Sequence, residues 1–336
     1  MLIVNPGQSG YFRVLYTPQQ SESLRRTFHN LAPVDQYGVL SDAFALSDGG
    51  YQPVAVALDL LAAIPAEAHA KIAQDGAGRW VGLFRAMDGH RAAQAVIRDH
   101  ASRIYWPRLQ ELGFRPRSND SPLDALLRES LIADLGEIGE PHVVAEGQRL
   151  LAALQTDPNA VPGSLKTSWL GVVARNADAR TWNALHRMAA TARSSTERSA
   201  YYQLLGLASD ERLARQALNL AISNEPGATV SAAMITSAAE NHATMTLDFV
   251  LSHLAQVTPF VDLSGSSGYV AELVQDSADA TLIPRIQAYA AAHIKPDDRR
   301  PINHAVARIK WKAAAQPRMQ REIAAWLKAH PVGQGG

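Results

Sequence analysis

The histidines are the residues of this chain best suited to metal or acid–base chemistry, and there are 11 of them. A zinc hydrolase helix carries the pattern His-Glu-x-x-His, which places two imidazoles on one helix face with a carboxylate base between them. That pattern is absent from the sequence. His242 and His253 are eleven residues apart, as are His293 and His304, but neither pair is accompanied by an acidic third ligand. We interpret these histidines as surface or capping residues, and we expect no metal ligand and no catalytic residue in this chain.

Serine, glycine and cysteine patterns give no better candidate for catalysis. A serine nucleophile needs the tight elbow Gly-x-Ser-x-Gly, whereas Ser9 and the pair at 266–267 have other spacings that indicate turns. The glycines at 76 and 78 lack the following Lys-Ser/Thr that reaches phosphate and magnesium. With 0 Cys, a disulfide scaffold, a thiolate zinc site and a cysteine nucleophile are excluded. The six tryptophans lie on apolar stripes and are expected in the core: Trp80, Trp106, Trp169, Trp182, Trp311 and Trp326.

Composition narrows the classes of partner. Of 336 residues, 47% are hydrophobic and 19% are charged, and the 32 basic residues balance the 32 acidic ones. A nucleic-acid binder derives most of its affinity from excess basic charge facing phosphates, and a membrane-surface protein needs a similar excess. No apolar run approaches the roughly 20 residues of a membrane-spanning helix, since the best stretch, Val54–Ile64, is short and contains Asp59. We therefore expect no nucleic-acid partner and no membrane partner.

The elements that would position any site are predicted to be helices. Alanine and leucine dominate and favour helix, and from Pro18 onward the apolar residues recur at helical spacing. Helix starts are predicted at Ser121-Pro122 and at Ser194. Three of the apolar stripes are Val143/Gly147/Leu150/Leu151/Leu154, Ile302/Val306/Ile309/Ala313 and Met319/Ile323/Trp326/Leu327. Short loops make sequential helices antiparallel neighbours, so the predicted fold is all-α, an irregular α–α superhelix of antiparallel helix pairs, HEAT-like or armadillo-like.

The opening of the chain is the exception to the helical pattern. Leu2-Ile3-Val4 and Tyr11–Tyr16 flank the turn-like residues 5–10, which predicts two short strands joined by a loop. A two-stranded piece is marginally stable alone. We therefore interpret it as a β-hairpin that belongs to a sheet outside this chain.

The same opening residues carry a resemblance to a known family. The string Val-Asn-Pro-Gly-Gln-Ser-Gly-Tyr-Phe-Arg-Val-Leu-Tyr at 4–16 closely resembles the Asn-x-Gly-Gln-x-Gly-Tyr/Phe-Tyr/Phe-Arg-Val-x-Tyr segment of zinc aminopeptidases of the aminopeptidase N family. Departures from the family pattern are Asp35-Gln36 in place of Asp-Arg and Arg308 in place of Asn. Looser blocks follow in family order: Leu40–Leu46, Ala57–Leu61, Leu126–Arg128, Trp182–Ala208, Ile309–Trp311 and Ile323–Leu327.

The resemblance implies a division of the chain. Residues 1–17 would be terminal strands of a β-sandwich domain, 18–331 the C-terminal helical domain, and 332–336 a disordered tail. The catalytic elements of the family are a Gly-x-Met-Glu-Asn loop and the zinc ligands of His-Glu-x-x-His with a downstream Glu. They lie upstream of this segment and are absent here. The resemblance thus implies zinc in the parent enzyme, no cofactor in this chain, and no activity of the chain alone.

The implied role is a bowl that closes the active-site chamber of an enzyme that removes N-terminal amino acids from peptides. Its partners would be the upstream catalytic and β-sandwich domains and peptide substrates. Arg128, Arg175 and Arg308 are candidates for the chamber lining, because each lies at or beside an apolar stripe and can pair with a peptide carboxylate. The alternative for each is an arginine that extends from a helix flank to solvent. Arg13 is interpreted as a hydrogen-bonding residue at the junction of sheet and helices.

Two other functions stay open at this point. One is a stand-alone helical-repeat scaffold that binds a protein partner, and the other is an enzyme that uses scattered His and Asp residues. We expect a bacterial protein, and the choice between cytoplasm and periplasm stays undecided.

Overall fold

The regular structure of this chain is helical throughout the part that the structure describes. The computed structural model describes residues 3–223, 225–261 and 266–332. Over these ranges there are sixteen α-helices and four short 3-10 turns and no strand, which confirms the all-α prediction. The helices are α1 Pro18–Thr27, α2 Pro33–Asp48, α3 Val54–Ala62, α4 Ala70–Ala86, α5 Arg91–Leu112, α6 Pro122–Glu137, α7 Pro141–Leu154, α8 Gly163–Arg175, α9 Ala179–Thr191, α10 Ser195–Gly206, α11 Glu211–Ala221, α12 Ala228–Ser252, α13 Leu254–Val257, α14 Ser266–Val274, α15 Leu282–His293 and α16 Arg300–Ala329.

Helix starts follow the capping chemistry of the sequence. Ser121 caps α6 by accepting from the backbone N–H of Asp124 at 3.1 Å, while the Asp124 carboxylate accepts from Ser121 in return. Ser194 caps α10 in the same way through the Glu197 N–H at 3.1 Å. Pro141 occupies the first turn of α7, where its missing N–H has no partner to lose. The starts predicted at Ser121-Pro122 and at Ser194 are therefore confirmed.

The described chain forms two compact units, each with its own core. The first contains the residues up to Ser168 and those from Ala315 onward, and the second contains Trp169–Ala314. In the first unit, α4 packs on α5 and α6, and α2 packs on α3. In the second, α10 packs on α9 and α12, and α12 also contacts α11 and α14. No helix within the described ranges is both long and apolar enough to cross a membrane.

The tryptophans show where helical spacing predicts burial well and where it does not. Four of them, Trp80, Trp169, Trp182 and Trp326, are at most 4% exposed and belong to the core as predicted. Trp106 is half-buried. Trp311 is 51% exposed, so its predicted core position is wrong. It follows the buried Ile309 by two residues, and two residues turn a helix by roughly 200°, which places Trp311 on the opposite face.

The structure does not confirm the predicted N-terminal hairpin. Ile3 and Val4 pair with no strand, residues 6–8 form a 3-10 turn, and residues 13–17 have no regular secondary structure. The physical reason is that the N–H groups of Gly7, Gly10 and Val14 donate to side-chain carboxylate or amide oxygens, which leaves no row of free donors for pairing. Leu2 and, of the predicted tail, residues 333–336 lie outside the described residues.

A buried carboxyl in α6 gives a pH-dependent prediction. Burial raises the pKa of Asp134 to about 6, helped by the charge of Glu137, although the Ser130 hydroxyl bond and Arg85 act the other way. The raised pKa means that the fold favours the neutral acid. Its contribution to stability is full below about pH 4 and is lost as pH rises through about pH 6. We expect Asp134→Asn to raise the free energy of unfolding by ~1–2 kcal/mol near pH 7.5, where the buried carboxyl is ionised. Near pH 4, where the carboxyl is neutral, we expect the free energy of unfolding to stay unchanged.

Urea unfolding at the two pH values measures this difference. Asp99→Asn is the matched control, since the Asp99 side chain is 57% exposed and its replacement is expected to change little at either pH. A gain for Asp134→Asn that persists unchanged at the lower pH would contradict the explanation.

Candidate functional site

The opening segment is a turn that its own side chains hold closed. Asn5 has a φ of 64°, in the left-handed region that asparagine tolerates better than most residues. Its amide accepts from the N–H of Gly10 at 2.7 Å and donates to the carbonyl of Gly10 at 3.0 Å. Gln8 donates to the Asn5 carbonyl at 3.2 Å. The conspicuous Asn-x-Gly-Gln-x-Gly pattern thus specifies one compact loop.

One face of α2 receives this loop. Asp35, Gly38 and Asp42 follow one another at i, i+3 and i+7, which places them on the same side of the helix. The N–H of Gly7 donates to Asp35 Oδ1 at 2.7 Å. A Cβ on Gly38 would lie 2.0 Å from Cδ of Gln8, so any other residue at 38 would require the Gln8 side chain to move from this position. The residues at 35 and 38 of α2 are therefore spaced so that the loop of residues 5–10 packs against this face of the helix.

Asp42 fixes the residues that follow the loop. It is 5% exposed, and its two oxygens accept from the Val14 N–H and from the Arg13 guanidinium, each at 3.0 Å. Arg13 also donates to the Ser41 hydroxyl at 3.0 Å. The interpretation of Arg13 as a hydrogen-bonding residue is confirmed, and its partners lie on α2. We define the contacts of Gly7, Arg13 and Val14 with Asp35 and Asp42 as the α2 lock.

Asp42→Asn is expected to loosen the α2 lock, because one carboxylate oxygen becomes an NH2 group that faces a donor. Loss of a charge-assisted hydrogen bond costs ~1.5–3 kcal/mol, which increases local opening and should speed tryptic cleavage after Arg13 by at least about tenfold. The rate of cleavage after Arg13 is measured by mass spectrometry of the fragments. Ser41→Ala removes only one Arg13 contact and serves as the control with a small effect. Equal cleavage rates in the wild type and Asp42→Asn would show that the lock does not hold this segment.

Arg128, the first candidate for the chamber lining, is a buried structural residue of α6. It is 1% exposed. Its guanidinium donates to the carbonyls of Leu112 and Gly113, each at 2.9 Å, at the end of α5, and pairs with Asp120 at 2.8 Å. The hydrogen bond from Arg128 to Asp120 is the main cause of the lowered pKa of Asp120. The Nε and Nη2 donors of this side chain are thus used inside the fold, and the side chain is buried there.

Arg175 stabilises a break in α12. Its guanidinium pairs with Glu240 at 2.7 Å and donates to the Asn241 side chain at 3.2 Å. The next residue, His242, has non-helical φ and ψ of −136° and 50°. Asn241 and His242 bond the carbonyls of Leu207 and Ala208 just beyond α10, at 2.8 and 3.0 Å. Arg175 therefore orders the corner where α8, α10 and α12 meet within the second unit.

Arg308 is the most accessible of the three arginines. Its side chain is 42% exposed and pairs with Asp276, which also accepts from Lys312 at 3.1 Å. Burial acts to raise the pKa of Asp276. The hydrogen bonds and charges of Lys312 and Arg308 outweigh it and hold that pKa below its usual range. Arg128 belongs to the first unit, whereas Arg175 and Arg308 belong to the second, and the lining role of the three stays a prediction.

The predicted capping role is confirmed for the pair His242 and His253, whose rings bond backbone carbonyls. His242 bonds the carbonyl of Ala208, and His253 bonds that of Phe249 at 2.8 Å at the end of α12. Within the described ranges, no group of three His, Asp or Glu side chains is placed to hold a metal ion. The donor set described here therefore does not fit a zinc site.

A groove in the first unit contains an acidic residue that the sequence analysis did not select. It has a volume of about 560 Å³, and Asp59 lies in its wall. The signal was present, because Asp59 interrupts the apolar run of Val54–Ile64. The groove is lined by Leu15, Tyr16, Thr17, Pro18, Ser21, Glu22, Arg25, Tyr51, Gln52, Pro53, Val56 and Asp59.

Comparison with known proteins agrees with the resemblance of the opening segment. Aminopeptidase M1-D of Oryza sativa subsp. japonica is 25% identical over 230 residues, which are 66% of this chain and 26% of that protein. Aminopeptidase M1 of Arabidopsis thaliana is 24% identical over the same shares. Aminopeptidase 2 of Candida albicans is 24% identical over 208 residues, 60% of this chain and 22% of that protein. The chain spans about a quarter of the length of these plant and yeast relatives, and the expectation of a bacterial source stays a prediction.

The family assignment rests on most of the chain. The sequence model of the family described as "ERAP1-like C-terminal domain" matches residues 1–310. That range includes the α2 lock and the break in α12, and the relatives named above are aminopeptidases. The chain therefore belongs to the family of ERAP1-like C-terminal domains, which confirms its identification as the C-terminal domain of an aminopeptidase of the aminopeptidase N family.

Proposed function

We propose that this chain is the non-catalytic C-terminal part of a longer zinc-dependent aminopeptidase that removes N-terminal amino acids from peptides. Its role is to form a bowl that closes the active-site chamber and limits which chains reach it. The observation that carries the proposal is the family match over residues 1–310, joined to relatives named aminopeptidases in which the matched segment is about a quarter of the length.

The division of labour within the parent follows from the side chains at hand. In this proposal, zinc and the metal-activated water belong to the upstream part, where the zinc-binding pattern of the family lies. The helical domain, residues 18–331 in this proposal, stacks antiparallel helix pairs into an irregular superhelix. Residues 1–17 are the end of a preceding β-sandwich, in which the strands would form once neighbouring strands supply backbone partners.

The α2 lock supports such a junction. It fixes residues 7–14 to α2 through buried carboxylates, so a preceding domain would be attached at a defined position rather than by a free linker. A rigid attachment suits a chamber wall, because selection by size requires that the wall keep its distance from the catalytic centre.

The proposal is tested by comparing this chain with the longer polypeptide encoded by its native gene. Both are assayed on leucine p-nitroanilide and on short peptides. We expect hydrolysis by the longer polypeptide alone, loss of activity with 1,10-phenanthroline, and recovery with zinc. A stop codon directly upstream, or a longer polypeptide without peptidase activity, would overturn the proposal and favour a stand-alone scaffold that binds a protein partner.

Of the predicted lining residues, Arg308 keeps the role best, because it is partly exposed and shares Asp276 with Lys312. In the longer polypeptide, Arg308→Gln is expected to raise KM several-fold for peptides with a free C-terminal carboxylate, since a charge-assisted hydrogen bond is lost. The same peptides with an amidated C-terminus are the control and should show no change. An equal rise in KM for both peptide series would remove Arg308 from carboxylate recognition.

A further inference from the structure

Two acidic residues, Glu22 and Asp59, lie in the wall of the groove of the first unit, and they differ in how they are paired. Glu22 is neutralised, because Arg25 holds both of its oxygens at 2.8 Å and Arg26 approaches at 2.7 Å. These bonds lower the pKa of Glu22 to about 2, so it stays ionised and paired. The negative charge of Glu22 is therefore already paired within α1 and is not available to another group.

Asp59 is the other carboxylate in the wall of the groove. Its Oδ1 accepts from the indole N–H of Trp326 at 2.7 Å, which is a neutral donor, and the ring of His330 lies 3.9 Å away. Among the described residues, no lysine or arginine forms an ion pair with Asp59. Its side chain is 37% exposed. Asp59 is therefore an accessible carboxylate with no ion pair to a described lysine or arginine, although the charge of Arg25 in the same groove also acts on it.

The other walls of the groove suit the stem of a long cationic side chain. Two tyrosine rings, Tyr16 and Tyr51, and two prolines, Pro18 and Pro53, line it beside Val56. Arginine and lysine bury their methylene stems along such apolar surfaces and place their charge near a carboxylate or a tyrosine face. Shape and charge together select an extended segment that carries a basic side chain.

Several large apolar side chains of the opening segment are exposed to solvent. Tyr11, Phe12 and Leu15 are exposed by 109%, 56% and 55%, and Leu15 itself lines the groove. Neighbouring exposed apolar side chains next to a concave site are typical of an interaction surface. They belong to the opening segment, which the α2 lock holds in place.

We propose that the groove receives a lysine or arginine side chain from the upstream part of the same polypeptide, which packs over residues 11–16 and places that charge beside Asp59. This inference rests on the proposed function, because it needs an upstream part. The occupant is chosen because the relatives carry about three quarters of their length outside the matched region, and because the uncovered apolar residues lie in the segment that leads toward it.

Carboxyl labelling tests the proposal directly. This chain and the longer polypeptide are treated with a carbodiimide and glycine ethyl ester, and labelling of Asp59 is followed by mass spectrometry. A covered carboxyl reacts only when the interface opens, so we expect Asp59 to be labelled roughly tenfold more slowly in the longer polypeptide. Glu111 on α5, with a side chain 69% exposed, is the matched control and should react equally in both.

Charge reversal gives a second readout. Asp59→Lys places like charges together, so it should lower the unfolding midpoint of the longer polypeptide by several °C more than that of this chain. Glu111→Lys should show no such difference. Because each variant is compared in both contexts, loss of the Trp326 hydrogen bond cancels.

Each alternative outcome overturns the proposal in a recognisable way. Equal labelling of Asp59 in both proteins removes the docking, even if the longer polypeptide is an active aminopeptidase. Protection that grows with the concentration of this chain alone indicates a second copy, and protection that requires added peptide indicates a substrate. Conversely, protection in a longer polypeptide without peptidase activity would retain the docking while the proposed function fails.

Discussion

Arg128→Ala is expected to lower the free energy of unfolding by about 3–5 kcal/mol, because it removes a buried side chain and two charge-assisted hydrogen bonds to backbone carbonyls. The side chain is 1% exposed, and its guanidinium holds the carbonyls of Leu112 and Gly113 together with Asp120. Alanine would leave the carbonyls without a donor at the end of α5, leave Asp120 without its counter-charge, and open a cavity of several methylene groups.

Arg308→Ala is the control for this prediction, because it removes the same side chain from a site that is 42% exposed. Exposed ion pairs contribute ~0–1 kcal/mol, so the control should unfold almost as the wild type does. Urea unfolding followed by far-UV circular dichroism compares the two. The pKa of Asp120 should also rise in Arg128→Ala. A small loss for Arg128→Ala, similar to that of the control, would mean that the buried network does not stabilise the first unit.

The contrast between these arginines explains how far the sequence predicts the site. All three lie beside apolar stripes, and helical spacing predicts which side of its own helix a residue occupies. It does not reveal what packs against that side. Arg128 meets the end of α5, which precedes it by 16 residues, and Arg175 meets residues about 65 positions further on. Contacts at such separations depend on tertiary packing, so a buried and an accessible arginine have the same pattern in the sequence.

The opening segment shows the same limit in secondary structure. The Tyr, Phe, Val and Leu residues of 11–16 predict a strand, because such residues suit a pleated surface. A strand forms only where a neighbour supplies backbone partners, and here Asp42 supplies a side-chain partner instead. The local helix signals, such as the caps at Ser121 and Ser194, were reliable because both partners lie within three residues of each other.

Gly206→Ala is expected to lower the free energy of unfolding by at least about 2 kcal/mol, the cost of overpacking against rigid atoms. Gly206 ends α10 where that helix packs on α12. A Cβ at this position would lie 2.5 Å from the carbonyl oxygen of Met234 and 3.0 Å from the backbone nitrogen of Ala238. Both atoms belong to the backbone of α12, so neither can rotate away, and the two helices would have to separate.

Gly171→Ala in α8 makes the same substitution where a Cβ would meet nothing within 4 Å. Alanine is favoured over glycine inside a helix by roughly 0.5–1 kcal/mol, so this variant should be more stable than the wild type. The two substitutions are therefore expected to have opposite signs, although their chemistry and their intrinsic helix preference are the same. If Gly206→Ala were also stabilising in urea unfolding, α10 and α12 would not be in backbone contact at this point, and the close packing that orders the second unit would have to lie elsewhere.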